Sequence, residues 1–457
     1  MLAPLLLLLA PAVPQQDGPA LGPHRLTQAE VVSGNLSLDD LRTHGMRIFA
    51  TPFNRHDGHG DGPMDPFDPA SPGGRPTLGH GSAFLRVNGL DSQSCFECHS
   101  VISSASIPAR LGVGGAGLAS ASAMGGITRI DILDNAGNGF AAFNGRLINP
   151  PFMFGSGGVE LVAKEMTVEL RGAFALALAT PDVPQSLISK GVSFGSLTYD
   201  SALQDFDYSA VEGINNDLVV RPFGRKGEFA TSRAFDLGAM GFHFGIQPAE
   251  LVGAGVDADG DGVVDEILAG EISALHIFGT NLERPTVDAL DAQTLAGQIL
   301  FEQVGCTDCH TPSMQTGTPL LDYSFPEVHT DPSANVFMSV DLANSAAGFE
   351  TNPSGGLEVQ LYSDLKRHDL GYQLSEETGS ELDHVYITAR LWGIADSGPY
   401  MHDGRATTLT DAIGMHRGEA STSRSAFMAL SPSRRVALIS FLKRLRTPAA
   451  PAADIQQ

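Results

Sequence analysis

The sequence is short of several things, and each shortage excludes something. Lys and Arg total 28 against 52 Asp and Glu, a formal charge of −24. A surface this poor in cations repels phosphate backbones and anionic lipid, which excludes nucleic acid and membrane surfaces as partners. It attracts a basic protein, although acidity can also serve solubility alone. Beyond the first residues no apolar run approaches the roughly 20 that a bilayer crossing needs, so no transmembrane span is expected in the mature chain. Trp392 is the only tryptophan. There are four cysteines, and none is spare for a disulfide or for thiol chemistry, because all four fall in one repeated motif.

What is present is length and repetition. A chain of 457 residues can bury two cores, and 52 Gly with 28 Pro imply long irregular stretches. Residues 1–16, MLAPLLLLLAPAVPQQ, read as a secretory signal: an apolar run, the small-residue stretch Ala10-Pro11-Ala12, then polar residues, though without an N-terminal Lys or Arg. The chain is therefore expected to be exported, in bacterial terms periplasmic. The repeated motif is Cys95-Phe96-Glu97-Cys98-His99 and Cys306-Thr307-Asp308-Cys309-His310. Two thiols at this spacing add to the vinyl groups of one haem, and the adjoining His supplies a nitrogen to its iron. A zinc site shared by two such distant pairs is the weaker reading, since each carries the extra His. A thioredoxin-like pair needs no trailing His and a strand-to-helix setting. Two covalent c-type haems are expected, with His99 and His310 as proximal ligands.

The second motif sits in a helical frame. Asp291 can cap a helix with Leu295, Ile299 and Leu300 at helical spacing. Gly297 and Phe301 form the Gly-x-x-x-Phe pattern of cytochrome c domains. Near the C-terminus, Val436, Ile439, Leu442 and Leu445 make an apolar stripe. Gly45 to Phe49 repeats the frame in the first half, but 45 residues (50–94) separate Phe49 from Cys95, against four (302–305) in the second half. That insert and the small-residue stretch after His99 read as loop. The expected fold is mainly α: two cytochrome-c-like haem domains with long irregular loops, at 41–249 and 285–447, the first closed by the helical pass TSRAFDLGAMGF. A linker spans 250–284. Within it, Asp257, Asp259, Asp261 and Asp265, with Gly262 and the Val263 carbonyl, follow the spacing of a calcium loop, although Leu268 stands where such loops carry a Glu. The alternative is a plain acidic turn.

The C-terminal region resembles the bacterial di-haem oxidoreductases, a peroxidase-type family once labelled thiol oxidoreductases. The likeness rests on Leu391-Trp392-Gly393-Ile394, Ser397-Gly398-Pro399-Tyr400-Met401-His402-Asp403-Gly404-Arg405-Ala406, Thr408-Leu409 and His416-Arg417-Gly418-Glu419-Ala420. Looser blocks precede it: Asn149 to Gly155 with Glu160, Arg221 to Lys226, and Tyr362 to Leu365 with His368-Asp369. A more distant similarity is to the di-haem cytochrome c peroxidases. The resemblance implies one haem that relays an electron and one that activates peroxide or another small oxidant, with a small cytochrome or copper protein as donor. It implies His416 as sixth ligand of the C-terminal haem, with Met401 or Met415 as alternatives, and His402 as a pocket histidine. Glu160 is the acid/base candidate that would move a proton between peroxide oxygens, or else a helix-cap Glu. The distal side of the N-terminal haem is either open or filled by His243, a Met, or His56, His59 or His80. Arg221 and Arg225 are candidate partners of haem propionates or of surface acids. Trp392 is either an electron relay or a core aromatic. The rival to an enzyme is a pure electron-transfer cytochrome with both irons six-coordinate.

Overall fold

The computed structural model describes residues 18–60, 94–97, 99, 131–133, 142–144, 149–375, 382–449, 452 and 455. The signal-like segment 1–16, most of the early insert with His80, Cys98 and the small-residue stretch after His99 lie outside them. The helices that position the sites are α1 (Leu38–Ala50), α2 (Ser156–Ala179), α3 (Ser232–Ala239), α4 (Ala269–Thr280), α5 (Ala292–Gln303), α6 (Leu409–Met415) and α7 (Pro432–Leu442). Ser37 and Asp40 form a capping box on α1, and Asp291 caps α5 through the Thr294 N–H at 2.9 Å.

Two helix crossings repeat one another. In the first, α1 lies on α4 so closely that a Cβ on Gly45 would be 2.1 Å from the Ala274 carbonyl oxygen and 2.5 Å from Phe278 Cβ. In the second, α5 lies on α7, and a Cβ on Gly297 would be 2.0 Å from the Ala437 carbonyl oxygen and 2.9 Å from Phe441 Cβ. The aromatic pair one turn further on repeats too: Phe49 and Phe278 have ring centroids 5.6 Å apart, Phe301 and Phe441 5.7 Å. Only a residue without a Cβ lets two backbones meet at this distance, which is why the Gly of each Gly-x-x-x-Phe sits at the crossing.

The structure departs from the sequence reading in three ways. First, the helix that closes the N-terminal half is α4, inside the segment 250–284 expected to be a linker; α3 packs against it. Every residue of α4 from Gly270 to Thr280 is buried, so it has no polar face and no amphipathic stripe to mark it. Second, the fold is mixed rather than mainly α: among the described residues 36% are helical and 15% are in strands. The strands form small antiparallel units, Gln185–Ser189 with Val192–Asp200 and Asp205–Asp207, and Leu320–Ser324 with Val336–Asp341. Short hairpins amid Gly and Pro look like loop in a sequence. Third, the buried face of α7 is Ala437, Leu438, Phe441 and Leu442, whereas Val436 is 55% exposed, as are Leu295 (51%) and Ile299 (48%) on α5. A crossing that needs Gly and Ala at its centre displaces the face from the largest apolar residues.

The core does not divide at residue 285. One cluster joins Leu41, Phe49 and Phe278 to Leu321, Leu357, Leu361 and Trp392, from both halves; a second gathers Phe301, Tyr362, Phe427 and Phe441 around the second motif.

Two candidate haem centres

The C-terminal centre is built by a tight turn. Gly305, at φ +79°, turns the end of α5 into the short helix Cys306–Asp308, and the His310 N–H returns to the Cys306 carbonyl at 2.9 Å. The His310 ring places Nδ1 3.1 Å from the Tyr362 carbonyl. His416, just past the end of α6, places Nδ1 2.8 Å from the Ala412 carbonyl. A carbonyl only accepts, so each Nδ1 carries the proton and each Nε2 keeps its lone pair. The two ring centroids are 6.5 Å apart. Metal–imidazole bonds of roughly 2.0–2.1 Å, with about 1 Å more from each nitrogen to its ring centre, put two axial histidines a little over 6 Å apart. The pair, next to Cys306 and Cys309, fits an iron held from both sides. Burial, with the nearby His416, pushes His310 down to about 4, and burial also lowers His416, so both rings are neutral donors.

The N-terminal centre follows the same plan. The His99 N–H bonds the Cys95 carbonyl at 2.8 Å, and Nδ1 donates to the Pro151 carbonyl at 2.8 Å, again leaving Nε2 as the donor atom. Phe235 on α3 meets the His99 ring edge-on at 6.2 Å. Burial pushes His99 down to about 4, and the charge of His243 adds to this, which places His243 nearby.

The other expected residues fall into distinct settings. Glu160 is fully buried, not an exposed cap. It meets Lys164 Nζ at 2.8 Å and His276 Nε2 at 3.0 Å, and accepts from the Ser232 N–H at 2.9 Å. Burial opposes its charge, but His276 and Lys164 hold it well below the usual carboxylate range. His402 stacks on Tyr386, centroids 4.7 Å apart, and the tyrosine hydroxyl is 3.4 Å from His402 Nε2. Met401 sits at φ +73° in the turn before it. Arg221 is gripped at two points by Asp217, at 2.9 and 2.5 Å. Arg225 lies on a turn whose carbonyl accepts from the Ile387 N–H at 3.2 Å. Trp392 is 3% exposed, and a Cβ on Gly155 (φ +74°) would be 2.7 Å from its ring.

Asp257, Asp259 and Asp261 bring ligand atoms within 4.8 Å of one another. Asp265 instead accepts from the Gly255 N–H at 2.8 Å, and the Val263 N–H closes the turn on Asp261 at 2.7 Å. Glu266 is buried beside this loop and accepts from the Gln247 N–H at 2.8 Å. Burial, joined by Asp259, Asp261 and Asp257, pushes it up to about 9.

Four residues had no role in the sequence reading. Glu266 is one. His368 lies between Asp364 and Glu419, 2.7 Å from each; burial works against its charge, but the bonds to Asp364, Cys309 and Glu419 outweigh this and carry it up to about 11. Asn149 holds the turn before His402: its Nδ2 donates to Pro399 (2.7 Å) and Met401 (2.9 Å), and its N–H to the His402 carbonyl (2.7 Å). Arg390 donates to the Pro222 carbonyl at 3.0 Å. His368 and Asn149 stood within the family-like blocks, which was a signal; Arg390 and Glu266 had none.

Residues 245–445 match the family described as "Di-haem oxidoreductase, putative peroxidase". That region is similar to this family, as its motifs suggested. No curated protein matches the chain. Among solved structures, hydrazine synthase of Kuenenia stuttgartiensis is similar at 20% identity over 46% of this chain and 61% of that one, with a TM-score of 0.26. A MauG-like protein associated with microbial copper homeostasis is similar at 16% identity over 49% of this chain and 69% of that one, with a TM-score of 0.28. Among the described residues no helix is long and apolar enough to cross a membrane.

Proposed function

We propose that the chain is an exported di-haem c-type cytochrome that takes electrons from a small redox protein and delivers them to peroxide or a similarly small oxidant. The observation that carries this is the His310–His416 pair, 6.5 Å apart with both Nδ1 atoms anchored on carbonyls. Cys306 and Cys309 would attach one haem, with His310 and His416 to hold its iron; Cys95 and Cys98 would attach the other, with His99 to hold its iron. Bound haem supplies one-electron redox chemistry and, where an axial position is free, a place for a small oxidant.

The chain's own residues orient and move protons. Pro151 and Tyr362 fix the proximal rings, and Ala412 fixes His416. Glu160 accepts a hydrogen bond from His276 Nε2 at 3.0 Å, and this pair would pass a proton toward the oxidant. Asn149 fixes the backbone that presents His402 over Tyr386. Asp257, Asp259 and Asp261 would hold calcium and stiffen the approach to α4.

A second reading has one observation in its favour. His243 lies close enough to His99 to influence its charge, and as a sixth ligand it would make the protein a pure electron carrier. Purified protein matured in cells that attach haem separates the two. A high-spin component in the half-reduced protein, with peroxide consumed at the expense of a reduced cytochrome, supports the enzyme. Two low-spin signals at every potential, without peroxide turnover, overturn it in favour of the carrier. Colourless protein at the mass of the bare chain overturns both.

A further inference from the structure

Arg390 is a partly buried cation without an acid. Its Nη1 donates to the Pro222 carbonyl at 3.0 Å and its Cζ lies 5.9 Å from the centre of the Phe223 ring. Among the described residues no carboxylate pairs with it. Burial pushes its guanidinium down to about 10, and no neighbouring acid offsets that. Elsewhere the chain gives such groups a carboxylate: Arg233 meets Glu250, Arg42 meets Asp39, and Arg25 meets Glu271. A guanidinium has five donors in a planar fork suited to a carboxylate, and one carbonyl uses one of them.

Its position says which acid is missing. The backbone of the preceding residue, Ala389, reaches the His310 ring. The following residue, Leu391, packs on the core around Phe301 and Tyr362. Arg390 therefore stands at the rim of the C-terminal centre, against the Pro222–Phe223 turn from the other half of the chain. A haem carries two carboxylates of its own.

We propose that Arg390 is the counter-ion of a propionate on the haem held by His310 and His416. This rests on the haem reading above. It also displaces Arg221 from that role, because Asp217 already occupies both arms of the Arg221 fork.

An unpaired propionate stabilises oxidised iron, so removing the cation lowers the potential of that haem. Spectroelectrochemical titration of the whole haem-loaded protein reads this directly, with the His310 haem identified as the one whose spectrum changes in His416→Ala. In Arg390→Gln, with both haems still attached by mass, the reduction equilibrium of that haem should weaken at least tenfold, about 59 mV for one electron. Arg221→Gln should leave it in place. Arg390→Lys, which keeps the charge and loses the fork, should shift it less and carries the test if the glutamine variant fails to mature. An unchanged potential in both Arg390 variants, a shift confined to the His99 haem, or an equal shift in Arg221→Gln overturns the proposal. Parent protein without haem would sink the haem reading itself, a separate outcome visible before any variant is made.

Discussion

Replacing Gly297 with Ala tests the repeated crossing most sharply, because intrinsic preference and packing pull in opposite directions. In an open helix, Gly to Ala gains about 1 kcal/mol. At Gly297 the new Cβ would lie 2.0 Å from the Ala437 carbonyl oxygen, 2.6 Å from its carbon and 2.9 Å from Phe441 Cβ. Two of these three atoms are backbone, so no rotamer change relieves the overlap and α5 must move off α7 by more than an ångström. Overpacking typically costs 1–3 kcal/mol, and rigid obstacles put this site at the upper end. The net expectation is a loss of roughly 2 kcal/mol. Gly45→Ala meets the Ala274 carbonyl oxygen at 2.1 Å and should lose a similar amount. Gly172 on α2 has nothing within 4 Å of its would-be Cβ, so Gly172→Ala should gain about 0.4–1 kcal/mol. Urea unfolding of the haem-loaded proteins, followed by circular dichroism and haem absorbance, ranks the three. If Gly297→Ala is as stable as Gly172→Ala, the helices are not in the contact described, and the repeat built on that contact fails with it.

Three further outcomes follow from the same geometry. His416→Met should keep the C-terminal haem six-coordinate and raise its potential, since thioether favours ferric iron less than imidazole does; an unchanged potential and spectrum would remove His416 from the iron. Asp236 is buried, its Oδ2 has no partner, and burial, helped by Glu160 and Glu327 against Arg233, lifts its carboxyl well above the ordinary value. The folded state thus holds a proton that the unfolded chain releases above about pH 4, so this contribution to stability is full below that pH and is lost as pH rises. Asp236→Asn should therefore be more stable than the parent at pH 7, by about 1–3 kcal/mol, and near-equal at pH 4; equal stability at both would contradict it. Calcium at a hundredfold excess over its dissociation constant should stabilise the protein by about 2.7 kcal/mol, an effect that chelator and Asp259→Asn both abolish; a Tm indifferent to calcium would leave the loop a plain turn.

What could be read from the sequence was chemistry that is local in the chain. Cys, Cys and His at fixed spacing point to haem attachment wherever the fold puts them, and Gly-x-x-x-Phe declares a crossing because both residues act within one turn of helix. His416 was visible through its neighbours His416 to Ala420, a run with a family likeness. What stayed hidden depends on partners far away in sequence. Helix α4 is buried on all sides and so lacks the period that distinguishes a packed helix. Glu266 looked like one more acid until the fold set it against Asp257, Asp259 and Asp261. Glu160 could be named, but its partner His276 lies 116 residues on. Arg390 is defined by the lack of an acid, and a sequence cannot display that.

The segment 149–155 joins the two candidate centres. The Pro151 carbonyl holds the proximal His99 at 2.8 Å, while Asn149, two residues earlier, holds the 399–402 turn that follows the Trp392 strand of chain. Four residues after Pro151, Gly155 takes a left-handed conformation against the Trp392 ring, and a Cβ on Gly393 would in turn be 2.7 Å from Phe152. Ala389, three residues before Trp392, touches His310. A displacement at either proximal ligand therefore reaches the other through one buried tryptophan and two close backbone approaches, within a core that takes residues from both halves. Side chains packed at such contacts do not deform continuously, so a displacement of His99 or His310 is passed on as a shift of this segment rather than absorbed by it. A linker at 250–284 would have allowed the halves to move independently; the placement of α4 in the first core denies them that freedom.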